Sequence, residues 1–285
     1  SSKPFVRGGI WKNFFTRYPE SNWMHKRMLA LSDRLAALPS VTGGNPCGNG
    51  RTAALTDHLY RAQANDAYWH GLFGGLYLPH LRREVYGNLL KLEAALDAVA
   101  PRPPLAVGDP DFDGVRELFL GNADVQAVVK LDAHAALCEL DAYGLAHNFG
   151  DVLKQRAEHY YRKLNVAPVA AEEGAGIASA HDRVAFKDVI GPADVAPDAR
   201  PRRLFADAWH RLDGETAWPQ YAAGAFKAPL MNAVFTSPLD GGEVTKTITL
   251  AGRTLQVAYQ LRNVPGGRFS VELNLAMPSC DGYTG

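Results

Sequence analysis

Apolar residues mark out helices in the first third of the chain. From Ser21 or Asn22, either of them a suitable N-cap, Met24, Met28, Leu31, Leu35 and Leu38 recur at intervals of four, three, four and three. That spacing gathers them on one face of a helix, and Pro39 ends it because a proline has no N–H to continue the ladder. Residues 5–20, aromatic and basic with two glycines and a proline, read as a shaped loop entering that helix, and residues 39–50 as a loop. A shorter helix is expected from Thr52 to Gln63. A longer one carries Leu78, Leu81, Val85, Leu89, Leu92, Leu96 and Val99, and stops at Pro101-Arg102-Pro103-Pro104. These stripes are core packing and hold no chemistry of their own.

Beyond the prolines the period changes from helical to two. Val115–Leu120 and Val125–Leu131 flank a Gly-Asn-Ala-Asp turn and form an expected hairpin, with a further strand at Ala136–Leu140. Residues 148–164 return to helical character, and 165–203 read as irregular. Three strands follow: Thr247–Leu250, the alternating Leu255, Val257, Tyr259 and Leu261, and the alternating run from Phe269 to Met277. One buried face on an antiparallel sheet points to a sandwich. The expected class is α+β, with a helical subdomain at 1–100, a linker at 101–114 and a β-sandwich at 115–285.

Composition narrows the partners. With 47% hydrophobic residues the chain can bury a sizeable core. Thirty basic side chains balance thirty acidic ones, so there is no basic stripe for a phosphate backbone, and nucleic acid is not an expected partner. No apolar run approaches the length of a membrane span, and no signal-peptide pattern opens the chain. Cys47, Cys138 and Cys280 are odd in number and lack Cys-x-x-Cys spacing, which argues against disulfides or a cysteine zinc site and for a reducing cytoplasm. The chain begins at Ser1 without methionine and stops at Gly285 just after a strand-like run, as a piece of a longer protein would.

The chemistry is concentrated in one stretch, Asn65 to His80. It holds Tyr68, Trp69, Phe73 and Tyr77, two imidazoles, one carboxylate and three glycines between two helices. Asp66 and Trp69 are three apart, so one helical turn aims both toward one cleft. A carboxylate accepting from paired hydroxyls beside a flat indole suits a sugar ring. The same spacing also fits a core in which Trp69 is filler and Asp66 caps a turn, and on spacing alone both readings stand. The nine histidines form no His-Glu-x-x-His and no cluster with cysteine, so a histidine-held metal is not expected, nor is a cofactor, while the sequence leaves open an oxygen-ligand calcium site in the sandwich. No Gly-x-Ser-x-Gly elbow is present. Cys47 has only Arg51 nearby to activate it, and its glycine-rich loop lacks the lysine–serine context that phosphate needs.

Two stretches carry a family resemblance: Arg7-Gly8-Gly9-Ile10-Trp11-Lys12-Asn13-Phe14-Phe15 through His25-Lys26, and Ala64-Asn65-Asp66-Ala67-Tyr68-Trp69-His70-Gly71 through Tyr77-Leu78-Pro79-His80-Leu81-Arg82. Both resemble glycoside hydrolase family 57, in its 4-α-glucanotransferase and α-amylase-like branch. Ala64 stands where many members carry cysteine. Glu139-Leu140-Asp141, Ala146–Leu153, Arg156–Tyr161, His181-Asp182 and Phe269–Met277 are similar to the family's C-terminal β-domain, with Gln155-Arg156-Ala157 a looser copy of its Arg-Arg-Pro. The resemblance implies a retaining, two-carboxylate enzyme acting on α-1,4-glucan (maltooligosaccharide, starch or glycogen-like). It implies that both catalytic carboxylates sit in a β/α barrel N-terminal to this chain, so that no catalytic residue is assigned here and the chain alone is inactive. The helical part then completes the catalytic cleft and the sandwich is incomplete at its C-terminal end. Asp66 and Trp69 fall on cleft positions near the scissile bond, with Tyr68 and His70 as further substrate-binding candidates. The alternative is a non-catalytic homologue that binds carbohydrate or serves as a scaffold.

Overall fold

A computed structural model describes residues 10–38, 50–71, 74–158, 161, 190–227 and 231–277. By the density of internal contacts the chain divides into one unit of Ser1–Val152 with Arg203–Gly285, and a second of Leu153–Arg202. In the second, a 3-10 turn at Pro192–Val195 is followed by Asp198, which accepts from the Gln155 amide at 2.6 Å and pairs with Arg202.

Among the described residues, the first unit contains four helices, α1 (Trp11–Arg17), α2 (Pro19–Ala36), α3 (Gly50–Ala62) and α4 (Pro79–Asp97). Among the same residues it contains twelve strands: β1 (Leu105–Gly108), β2 (Glu117–Gly121), β3 (Val125–Lys130), β4 (Leu137–Ala142), β5 (His147–Asn148), β6 (Leu204–Arg211), β7 (Thr216–Ala217), β8 (Ala222–Lys227), β9 (Asn232–Leu239), β10 (Gly242–Ala251), β11 (Thr254–Arg262) and β12 (Gly267–Leu273). All pairings are antiparallel. One sheet runs β1-β2-β3-β4-β6-β12, with β5 on β4 and β7 on β6, and the other runs β11-β10-β9-β8. This is the α+β class with a two-sheet β part that the periodicity implies.

Several local expectations need correcting. The loop read over residues 5–20 contains α1, which buries none of its residues and therefore carries no apolar stripe to announce it. Helix α2 starts at Pro19, with Tyr18 in the N-cap position, rather than after Ser21 or Asn22; a proline is favoured in a first turn, where no N–H is needed. The linker read over 101–114 contains β1, paired with β2 from Leu105↔Leu120 to Gly108↔Glu117. Residues 149–158 are not helical. Their backbone is engaged elsewhere, the Phe149 amide on the Leu140 carbonyl and the Val152 amide on that of Gly150. The loop read at 39–49, Cys47, Leu72-Phe73, His181-Asp182, Cys280 and residues 162–164 lie outside the described residues.

Strand alternation explains why the helices sit on the first sheet. Leu118, Leu120, Ala127, Val129 and Leu137 point into the core between the sheets, with Phe235, Val244 and Ile248 from the second sheet. The intervening Phe119, Val128 and Cys138 pack against Trp23, Met24, Leu31, Leu89 and Leu92 of the helices. A bulge at Val128/Val129 inserts Cys138 and keeps Glu139 and Asp141 on the helix-facing side. Strand β3 is consequently buried on both faces.

The helix–sheet contact is a buried ionic knot. Arg27 of α2 grips Glu93 of α4 with two hydrogen bonds of 2.8 and 2.7 Å, and also donates to Glu139 of β4 at 3.1 and 3.2 Å. The Trp23 indole donates to the other oxygen of Glu139 at 2.5 Å. Arg102 and the Tyr143 hydroxyl add contacts to Glu93 of 2.7 and 2.8 Å, and Gln126 bridges Glu93 and Asp141. Burial alone would raise the pKa of Glu93, but Arg27, Arg102 and Tyr143 outweigh it and hold it at about 2. Burial, then the neighbouring Glu139, push Asp141 well above the carboxylate range.

Candidate functional site

The Asn65-to-His80 stretch folds as two 3-10 turns, Asn65–Tyr68 and Gly75–Tyr77, ahead of α4. Its backbone is held from three directions. The Ser21 hydroxyl of α2 donates to the Tyr68 carbonyl at 2.5 Å. The Leu76 amide donates to the Trp69 carbonyl at 2.7 Å, closing one turn on the other. Arg82 of α4 donates to the Leu76 carbonyl at 2.5 Å while paired with Asp151 at 3.0 Å. Rigid support of this kind is what a binding loop requires.

The four predicted residues part company here. Asp66 is exposed, and Trp69 keeps 41% of its surface exposed, with its ring lying over Gly71. Tyr68 is buried to 2%, and its hydroxyl donates to the Ala62 carbonyl at 2.6 Å. Burial pushes its phenol pKa up, so it stays a donor. His70 is half-buried: its Nε2 lies 2.6 Å from the Tyr18 hydroxyl, and its ring meets Phe14 and Tyr77 edge-on or tilted. The structure thus presents Asp66 and Trp69 to solvent and uses Tyr68 and His70 to brace the loop.

Sequence reasoning gave no role to the aromatic residues of α1, yet they form the loop's support. Trp11 and Phe15 surround His25 and Tyr68, and Phe14 stacks on Tyr18 at 4.3 Å. Burial, with the charge of Lys26, lowers the His25 pKa and keeps that ring neutral among its aromatic neighbours. The clue was present in the density of aromatics between Trp11 and Tyr18.

Gly75 carries the tightest steric constraint. Its φ is +50°, and a Cβ there would lie 2.1 Å from the Trp69 carbonyl oxygen and 2.8 Å from that of Asp66. Gly75→Ala is therefore expected to cost roughly 1–3 kcal/mol of loop stability and to disorder the Trp69 platform. Faster hydrogen exchange confined to 65–78, with the global melting temperature nearly kept, is the expected measurement; unchanged exchange would contradict it.

A cavity of about 570 Å³ lies elsewhere, at the helix–sheet joint, lined by Leu31, Arg34, Asp97, Arg102, Phe119 and Tyr143 among others. Arg102 is already committed to Asp97, Glu93, Gln126 and Tyr143, which leaves its donors little to offer a sugar hydroxyl.

Residues 9–96 match the alpha-amylase/4-alpha-glucanotransferase middle domain, and residues 109–285 match the C-terminal domain of the same proteins. The chain belongs to the alpha-amylase/4-alpha-glucanotransferase family. This is the glycoside hydrolase family 57 type that its sequence resembles. The 4-alpha-glucanotransferase of Thermococcus kodakarensis is 38% identical over 96% of the chain, and the alpha-amylase of Pyrococcus furiosus is 36% identical over the same share. The crystal structure of 4-alpha-glucanotransferase from Thermococcus litoralis matches with a TM-score of 0.70 at 28% identity, covering 96% of this chain and 40% of that one. The chain spans 41% and 40% of the two curated relatives. Among the described residues, no helix is long and apolar enough to cross a membrane.

Proposed function

We infer that this chain supplies one wall of an α-glucan cleft in a retaining 4-α-glucanotransferase or α-amylase. The observation that carries the reading is the exposure of Asp66 and Trp69 on a loop whose other aromatic residues are locked inward. Trp69 offers a flat face to the C–H surface of a glucose unit, and Asp66 offers two acceptor oxygens to its hydroxyl rim. Neither group attacks or protonates the glycosidic bond. Their part is to hold the sugar so that its anomeric carbon and leaving oxygen meet the two catalytic carboxylates, assigned to a segment outside this chain. Hydrolysis and glucan transfer then differ in whether water or a sugar hydroxyl reaches the intermediate, which the dryness of the cleft decides.

Maltooligosaccharide affinity, measured calorimetrically on the polypeptide that carries those carboxylates, tests the reading. Asp66→Asn keeps the shape and removes the charge, and hydrogen bonds to a charged acceptor contribute about 1.5–3 kcal/mol. Binding is expected to weaken about tenfold or more, with the melting temperature unchanged because Asp66 is exposed. Equal affinity in parent and variant would move the cleft away from this loop.

A further inference from the structure

The cavity at the helix–sheet joint has a chemistry that the glucan reading does not use. Its walls are mostly apolar: Leu31 of α2, Ala94 of α4 and Phe119 of β2 line it, together with Pro101, Pro103, Pro104 and Pro110. Prolines have no backbone N–H, so that part of the wall offers an entering molecule no main-chain donor. The volume, about 570 Å³, is that of a small-molecule site.

The polar groups of the cavity are unequally occupied. The Glu93 carboxylate accepts from Arg27, Tyr143 and Gln126 and pairs with Arg102. Asp97 accepts from Arg34 at 2.6 Å and from Arg102 at 2.7 Å. The Gln126 side-chain oxygen and the Tyr143 hydroxyl each accept from Arg102 at 2.9 Å, and the Asn122 side-chain oxygen accepts from the Asp124 and Val125 amides. These acceptors are answered from within the chain. On the donor side a group is left over. Arg34 spends its Nη2 on Asp97 and on the Ala100 carbonyl. Its Nη1 is buried, lies 4.0 Å from Glu93 Oε1, and has no hydrogen-bond partner among the described residues. A buried N–H without an acceptor is costly, and a charged donor holds a charged acceptor more strongly than a neutral one.

An apolar chamber with a spare cationic donor selects a ligand with an apolar body and one acceptor group. Sugars fit poorly, because every hydroxyl brings a proton that needs an acceptor, and the side-chain acceptors here are taken. A carboxylate brings acceptors only. We propose that this cavity binds a small apolar carboxylate, its body against Leu31, Ala94, Phe119 and the prolines and one oxygen on Arg34 Nη1. Nothing in this site depends on the glucan reading of Asp66 and Trp69. Because α2, α4 and β2 all contribute walls, a ligand seated there bridges helices and sheet and stabilises the folded chain by mass action.

The probe is 1-naphthoate, a rigid apolar carboxylate, titrated calorimetrically into the chain beside its neutral analogue 1-naphthalenemethanol. Naphthoate is expected to bind once per chain with a Kd below about 1 mM, a modest demand for a ligand of its size. It is expected to raise the melting temperature and to bind about tenfold more tightly than the alcohol. Arg34→Met keeps an apolar stem and removes the donor, while Asp97 retains Arg102. Its expected result is naphthoate affinity reduced to that of the alcohol. Ala94→Phe, at a half-buried wall position, fills the chamber and is expected to abolish binding of both probes. Should that variant melt well below the parent, Ala30→Phe repeats the filling from α2. Absence of heat with naphthoate at about 5 mM would overturn the proposal, as would equal affinity for the alcohol. So would naphthoate binding that Arg34→Met leaves unchanged, or its displacement by maltotriose.

Discussion

Trp69→Ala is expected to lower kcat/KM on maltooligosaccharides by about 10- to 100-fold in the catalytically complete polypeptide. Losing an aromatic stacking face removes roughly 1–3 kcal/mol of binding energy. The fold should survive, because the ring is 41% exposed and lies over Gly71. Trp69→Phe should recover part of the loss, since a smaller ring still offers a face. The split between kcat and KM locates the contact. A loss mainly in KM means that the indole binds ground and transition states alike, and a loss in kcat means that it grips the distorted sugar. Kinetics identical to the parent would make Trp69 an incidental surface residue. The buried Tyr68 provides the contrast. Tyr68→Phe deletes a hydrogen bond to the Ala62 carbonyl and should read out in stability rather than in affinity.

Breaking the ionic knot is expected to have the largest effect on stability. Arg27→Met removes a group that bonds both Glu93 and Glu139, leaving Glu139 with the Trp23 indole and Asp141 but no cation bonded to it among the described residues. Stranding a buried charge in this way costs about 3–5 kcal/mol. Replacing Arg27, Glu93 and Glu139 together with apolar residues of similar size should recover much of that, because the desolvation penalty leaves with the charges. Urea unfolding of the single and triple variants separates the two outcomes. A single variant within about 1 kcal/mol of the parent would show the knot to be energetically idle.

The same knot sets a direction for acid unfolding. Glu93 is held at about 2 when folded, below its ordinary value, so the unfolded chain binds the proton more readily. Its contribution is complete above the ordinary glutamate range and is lost as pH falls from there through about 2. Glu93→Gln should flatten that part of the stability profile. Asp141 acts with the opposite sign, since a raised carboxylate loses stability as pH rises. Asp141→Asn fixes its uncharged form and should flatten the part of the profile that falls as pH rises above the ordinary aspartate range.

The helices and strands differed in how readily the chain disclosed them. Helices α2 and α4 were legible because their buried faces repeat at three and four, and β10 to β12 because apolar and polar residues alternate. Helix α1 has no buried stripe, so its sequence looks like a loop. Strand β6 escaped notice because it carries Asp207 in its middle, buried and bonded to Lys246, Tyr221 and Tyr259. Strand β8 is mostly alanine and glycine, which signals neither period. At the candidate site, the spacing of Asp66 and Trp69 could raise a shared cleft but could not exclude a core. What separates the exposed pair from Tyr68 and His70 is long-range: Ser21 and Tyr18 reach across about fifty residues to fix the loop, and no local pattern encodes that.

The doubly buried β3 has a bearing on recombination between relatives. A crossover placed in the proline-rich segment after α4 looks safe, since it falls between helices and strands. It would nonetheless hand Arg27 and Glu93 from one parent to Glu139 and Gln126 from the other. It would also seat one parent's Leu89 and Leu92 on the other's Val128. Chimeras are therefore expected to fold only when the parents agree at those positions, so that the two halves are inherited as a matched set rather than as exchangeable modules.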